Sequence, residues 1–206
     1  MARDMTKGRI LPQMTAFAIP LILGNLFQIL YNATDSIIVG KFVGDDALAA
    51  VGTAGPIMNM AILFISGMCM GAGILMSTLY GAKDMKNLEK QISTTLIGGL
   101  VFSLLIAFLM IVFAVPILRL INSPEEIIGS AAIYLRVVFL GLIFTFVYNF
   151  LANTLRALGD SRTPLYFLVI SAFLNVAGDL LFVVTLKLGV MGSAVATVLS
   201  EALCCV

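Results

Sequence analysis

Six long apolar runs, joined by short connectors that hold most of the charge, constrain this chain more than any other feature. A helix needs about 20 mostly apolar residues to cross a bilayer. Backbone polar groups in hydrocarbon must be satisfied within the segment, which favours helices for runs of this kind. The runs cover residues 11–39, 52–79, 92–118, 136–156, 164–186 and 190–206. Charged residues make up only 11% of the chain, against about 25% in soluble domains. Mean hydropathy is +1.10. The sequence predicts an all-α, polytopic membrane protein whose residues 1–206 form a single six-helix unit.

The first run lacks a small-residue cleavage site and reads as a retained span. One set of connectors holds Arg3, Lys7, Arg9, Lys83, Lys86, Lys90, Arg156 and Arg162. The opposite set holds Lys41, Arg119 and Lys187. The excess of basic residues predicts that the first set, and the amino terminus, are cytoplasmic in a cell membrane. Net charge is +1, which gives no reason to expect a nucleic-acid partner. The chain has no histidine, which removes the commonest metal ligand and the usual acid/base group at neutral pH. Cys69, Cys204 and Cys205 lie in apolar runs at a spacing that fits neither a disulfide framework nor a zinc site.

Local signals mark the breaks. Ser123-Pro124-Glu125-Glu126 reads as a helix start with Ser123 as cap and Glu126 closing a capping box. Gly159 to Pro164 reads as a turn, with Pro164 opening the fifth span. Pro20 and Pro56 lie inside spans and mark candidate kinks. Gly67 and Gly71 form a Gly-x-x-x-Gly pair suited to close helix approach.

Polar residues recur with helical spacing inside the apolar runs. In the first span Asn25, Gln28, Asn32 and Asp35 fall within an arc of about 80° at roughly 100° per residue. Thr145, Asn149 and Asn153 share a face of the fourth span, Ser171, Asn175 and Asp179 of the fifth, and Ser193, Thr197 and Glu201 of the sixth. The third span is nearly all apolar and is expected to face lipid. Four helices with one polar face each imply a shared interior. Asn, Ser and Thr groups alone serve as hydrogen-bonding glue between helices. Carboxylates do not, because an ionisable group costs at least about 2.5 kcal/mol in hydrocarbon and marks a functional site by default.

Counting from the connectors puts Asp35, Asp179 and Thr197 at one depth, about 9–12 Å below the outer surface at ~1.5 Å per residue. Asp35, Asn175, Asp179 and Thr197 therefore form a candidate cation site in the outer half of the bundle. Its oxygen ligands suit a hard cation such as Na+, and carboxylates also carry H+. Neutralising the carboxylate pair would link ion binding to local conformation. An acidic interior with no deeply embedded Arg or Lys favours a small cationic or neutral cargo.

Several motifs together resemble the amino-terminal half of the multidrug and toxic compound extrusion (MATE) transporter family. They are Ile19-Pro20-Leu21 through Asn32-Ala33-Thr34-Asp35 with Val39-Gly40, Tyr80-Gly81-Ala82-Lys83, Leu155 through Pro164, and Asn175-x-x-x-Asp179 followed by Gly192 to Thr197. The resemblance implies one lobe of a twelve-helix transporter with two six-helix lobes. It implies export of organic cations and drugs in exchange for H+ or Na+ by alternating access, with no cofactor beyond the coupling ion and no enzymatic activity. It implies a cation site at Asp35, Asn175, Asp179 and Thr197, with Tyr134 of the fourth helix beside it. The boundaries above put Tyr134 nearer the outer surface than the acids. Asn25, Gln28, Asn32, Asn149 and Asn153 are the expected lining of the substrate cavity. Glu201 departs from the uncharged polar residue expected at its place. Only half of the family's length is present, so a carboxy-terminal lobe is the expected partner, with membrane lipid around both.

Three other readings compete. A lipid or oligosaccharide-lipid flippase of the wider superfamily would need embedded basic residues. A non-transporting membrane fragment would use the polar stripes only as packing glue. A membrane enzyme would need a nucleophile with its base, or a metal cluster, and two well-embedded acids without histidine offer little for either.

Overall fold

The computed structural model describes residues 10–205. The first three helices are α1 (Ile10–Phe42), α2 (Asp45–Gly81) and α3 (Met85–Leu120). They are followed by α4 (Glu125–Leu140), α5 (Leu142–Ala157), α6 (Arg162–Asp179) and α7 (Val190–Cys204). A π-helical turn, Leu180–Thr185, extends α6. The connectors at 43–44, 121–124 and 186–189 lie at one end of the bundle, here the upper end. Those at 82–84 and 158–161 lie at the lower end. Arg3, Lys7 and Arg9, which weigh in the orientation argument, lie outside the described residues.

The first four apolar runs each fall within a helix or helix pair that extends past them, the fifth matches α6 with its π-helical turn, and the sixth begins with α7. Four segments are long and apolar enough to cross a membrane: Leu11–Phe42, Asp45–Gly81, Met85–Leu120 and Arg162–Thr185. A fifth is the pair α4 and α5, bent by 46° at its break. The sixth, α7, is a shorter apolar helix of 15 residues. This is a multi-pass helical membrane protein.

The bend between α4 and α5 was not foreseen, and its cause lies in a neighbour. A Cβ added to Gly141 would meet Val198 Cγ2 of α7 at 2.3 Å. The backbone breaks where α7 presses on it. The predicted cap of α4 is also corrected. The helix begins at Glu125 after Pro124, so Ser123 stands one residue too early, and its buried hydroxyl has no hydrogen-bond partner. Its N–H instead closes α3 by donating to Leu118 O at 3.1 Å.

Asp160, not Pro164, governs the entry to α6. Its carboxylate accepts from the N–H groups of Arg162 and Thr163, each at 3.1 Å, and from Thr163 Oγ1 at 2.8 Å. Burial opposes its charge, but the bonds from Thr163 and Arg162 prevail and hold the carboxyl below its ordinary range. Pro164 occupies the first turn, where its missing N–H costs nothing.

Glycine sets the closest contacts, though not at the predicted pair. Gly67 and Gly71 have nothing within 4 Å of an added Cβ. The close approaches are α6 on α7 and α3 on α5. A Cβ on Gly192 would meet the Phe182 backbone at 3.0 Å, and one on Gly178 would meet Ala196 Cβ at 2.9 Å. Gly99 receives the Phe146 ring, whose Cζ would lie 2.1 Å from an added Cβ. The apolar core runs through α2, α3, α4 and α5, with Ile65, Met76, Leu118, Leu135, Phe139 and Phe146 fully buried. The outward face of α3, including Val101, Leu104, Leu105 and Phe108, is exposed, as its composition suggested.

Two outcomes test this packing. Gly192→Val should destabilise the protein by about 1–3 kcal/mol, because backbone and not a flexible side-chain end must yield. Gly71→Ala should be neutral or slightly stabilising in the same thermal unfolding assay in detergent. Asp160→Ala should cost about 0.5–2 kcal/mol through the lost cap. Because the folded carboxyl titrates below its unfolded value, its contribution is complete above pH ~4 and fades as pH falls through the folded value. A pH-unfolding series in which Asp160→Ala and its parent converge only at acid pH checks the sign.

Candidate functional site

The site forms where α1, α6 and α7 meet in the upper half of the bundle. Asp35 lies seven residues before the end of α1, and Asp179 is the last residue of α6 before the π-helical turn. In that turn Leu186 N–H donates to Leu181 O at 2.9 Å, a five-residue step that widens the helix. The small surface of Gly178 and Gly192 brings α7 against α6, which sets Asn175 and Asp179 beside Ser193 and Thr197.

The polar groups bond in a short chain. Ser193 Oγ donates to Asp35 Oδ1 at 2.6 Å. Asn175 Nδ2 donates to Thr197 Oγ1 at 3.2 Å, and Thr197 Oγ1 donates to Ser193 O at 3.1 Å. Asp179 is 0% exposed, and the Asp35 and Asp179 carboxyls lie within hydrogen-bonding reach of each other. Yet neither oxygen of Asp179, nor Asn175 Oδ1, meets a protein donor. Two ionised carboxylates offer each other no hydrogen. The arrangement lacks one positive particle: a shared proton would supply the donor, and a small cation would supply the charge. Buried acceptors without protein partners are costly, which makes this cluster the candidate site.

Tyr134 is buried and lines a cavity of about 40 Å³ together with Asp35, Thr197 and Glu201. It therefore stands level with the acids, not above them. The expected placement failed because α4 begins eleven residues before the apolar run that defined its span (125 against 136).

Below lies a larger cavity of about 330 Å³. Asn25, Gln28, Asn32, Asn149 and Asn153 all line it, as do Ser171, Tyr148 and Arg156. Asn149 and Asn153 each donate to the carbonyl four residues back at 2.8 Å, and Asn149 Oδ1 accepts from Ser66 Oγ at 3.2 Å. Part of this stripe is thus glue, and part is wall. Glu201 belongs to this interior. It lines both cavities and accepts from Thr145 Oγ1 at 2.5 Å. The count of two embedded acids is corrected to three. The i, i+4 spacing from Thr197 carried that signal, but the distance of Glu201 from the site left its side ambiguous.

These features describe a helical membrane lobe with a polar cavity and a buried carboxylate pair. The comparisons agree. The model of the MatE family matches residues 20–181. The chain is 35% identical over 202 residues to a probable multidrug resistance protein, YpnP, of Bacillus subtilis (strain 168), covering 97% of this chain and 45% of that protein. It is 36% identical over 201 residues to a second, YoeA, covering 95% and 43%. It superposes with a TM-score of 0.88 and 28% identity on the outward-facing conformation of a multidrug resistance MATE family transporter of the MOP superfamily, covering 94% of this chain and 43% of that one. The chain belongs to the MatE (MATE) family. It spans about half the length of the relatives it matches.

Ser193→Ala should remove the hydroxyl that Asp35 relies on and cost about 1–3 kcal/mol of stability. Thermal unfolding in detergent measures this, and Ser193→Thr should recover most of it. An unchanged midpoint for the alanine variant would mean that Asp35 draws its donor from elsewhere.

Proposed function

We propose that this chain is the amino-terminal lobe of a multidrug exporter that exchanges organic cations for H+ or Na+ by alternating access. The observation that carries the reading is Asp179: fully buried, beside Asp35, with both oxygens lacking a donor. Asp35, Asn175, Asp179 and Thr197 hold the coupling ion, and Tyr134 walls the pocket beside them. One proton or sodium ion completes the pair, and its loss makes the empty site unfavourable. That difference is what a coupled transporter uses to favour one conformation over another. No enzymatic step and no cofactor other than this ion enter the cycle.

The lower cavity holds the drug. Its amides and hydroxyls, with Tyr31 and Tyr148, offer a polar and aromatic wall for a cation. A second lobe closes it. Asn25, Gln28 and Asn32 are exposed on this lobe alone, which suits a face that turns toward a water-filled cleft between two lobes. The excess of basic residues on the lower connectors supports a cytoplasmic lower end and amino terminus, with the protein in the plasma membrane. Lipid contacts the apolar outer faces.

The test is ethidium efflux from cells that express the lobe joined to its second half. Asp179→Asn should abolish gradient-driven efflux while the protein still reaches the membrane. If the variant exports as well as its parent, the carboxylate pair is structural and the coupling reading is wrong. Comparing a pH gradient without sodium against a sodium gradient at equal pH identifies the ion.

A further inference from the structure

Glu201 is the carboxylate at the waist of the lobe. The upper and lower cavities share Tyr31, Asn32, Met58, Ile62, Thr145 and Glu201 among their lining residues. Asp35 lines the upper cavity and not the lower one, and Asp179 lines neither. On α7, Ser193, Thr197 and Glu201 follow one another at four-residue steps, so each lies about 6 Å below the last. The first bonds Asp35 and the second bonds Asn175. The third therefore stands one step below the ion pocket and opens to the large cavity. The upper cavity, about 40 Å³, has room for about one water.

The surroundings of Glu201 are suited to a transient charge. Its carboxylate takes a hydrogen bond from Thr145 Oγ1 on α5. Tyr31 of α1 lines both of its cavities, Tyr148 of α5 the lower one, and Tyr134 of α4 and Asp35 the upper one. Arg156 lines the far end of the lower cavity. Among the described residues no basic side chain lies within ion-pair distance of Glu201. A permanently ionised group without a partner would be costly here. A group that gains and loses a cation as the cycle proceeds is not.

We infer that Glu201 is a second station for the coupling ion, between the Asp35–Asp179 pair and the lower cavity. For a proton the step is simple. The proton leaves the pair, which becomes fully ionised. Glu201 takes it through water in the upper cavity, and then releases it to water in the lower cavity. Charge and proton count are conserved at each transfer. For sodium the same oxygens serve as a second resting place. This inference rests on the coupling role proposed above for Asp35 and Asp179.

The experiment uses the full-length transporter that contains this lobe, reconstituted in lipid vesicles with ethidium as substrate. Three quantities are read: gradient-driven ethidium transport, ethidium binding at equilibrium, and exchange of labelled for unlabelled ethidium without a gradient. Glu201→Gln should lower gradient-driven transport about 100-fold, the low end of what a positioned proton carrier contributes. Gradient-free exchange should persist, and ethidium affinity should fall far less than the driven rate, although Glu201 borders the drug cavity. Glu201→Asp, which keeps the charge on a shorter stem, should retain part of the driven rate with unchanged ethidium affinity. If the glutamine variant does not fold, Glu201→Thr, which is neutral and smaller, decides, and full driven transport by it overturns the inference. Normal driven transport by the glutamine variant overturns it, as does a fall in ethidium affinity that matches the fall in rate, since Glu201 would then be part of the substrate site. Asp179→Asn runs in parallel. If it loses driven transport while Glu201→Gln keeps it, only the second station fails; if both keep it, the coupling reading fails with it. A pH gradient without sodium and a sodium gradient at equal pH show which ion the station serves.

Discussion

The site depends on a backbone approach that only glycine allows. Phe182 carbonyl atoms press on Gly192, and Ala196 presses on Gly178. Larger residues at either place would hold α7 away from α6. Asn175 would then lose Thr197, and Ser193 would swing away from the helix that holds Asp179. The π-helical turn after Asp179 belongs to the same constraint. By widening the helix at Leu180–Thr185 it lets the chain pass the α7 contact while Asp179 stays buried. A feature of this kind weakens a helix and persists where its geometry serves a site.

Within that frame, three carboxylates meet three environments. Asp35 has a serine hydroxyl at 2.6 Å. Glu201 has a threonine hydroxyl at 2.5 Å and borders open cavity. Asp179 has neither hydroxyl nor opening. The pair at the upper level is thus asymmetric, with one member provided for as an anion and the other not. A symmetric, fully bonded pair would hold its charge as fixed structure. An unsatisfied one is instead sensitive to whether a cation is present, which is the property a coupled cycle requires. In the proposed mechanism, Asp35 anchors the site and Asp179 registers occupancy.

Much of this was legible in the sequence, for a physical reason. Polar residues are rare in hydrocarbon-length helices, so their 3.6-residue period stands out. Asp35, Asp179 and Thr197 could be assigned one depth because connector positions fix how far along each helix a residue lies, and Asn175 shares the helix face of Asp179. What escaped were features that depend on a partner helix. Gly141 kinks because Val198 abuts it, and nothing near position 141 names Val198. Gly67 and Gly71 fit a packing pattern, yet no neighbour comes to them. Tyr134 was set too high because apolar runs mark hydrocarbon depth, while the helix itself begins well before. Glu201 was left ambiguous because its side is decided by Thr145, fifty-six residues away.

The lobe's own surface points to what surrounds it. Hydrophobic residues of α2 and α3 such as Leu63, Phe64, Leu104 and Phe108 are exposed, which suits lipid. The exposed amides of α1 do not, because Asn25, Gln28 and Asn32 would each lose hydrogen bonds to water on entering hydrocarbon. A helix whose polar face is neither buried by its own lobe nor compatible with lipid needs a wet cleft or a polar partner. The cavity beside it also has one wall incomplete, since α1 meets α2 less fully than it meets α6. A second lobe across that face would resolve both conditions at once. It would shield the amides from lipid and make the cavity a compartment whose two openings can alternate. In the proposed mechanism the coupling ion acts within this lobe, and a second lobe would convert a local change at Asp35 and Asp179 into access from one side or the other.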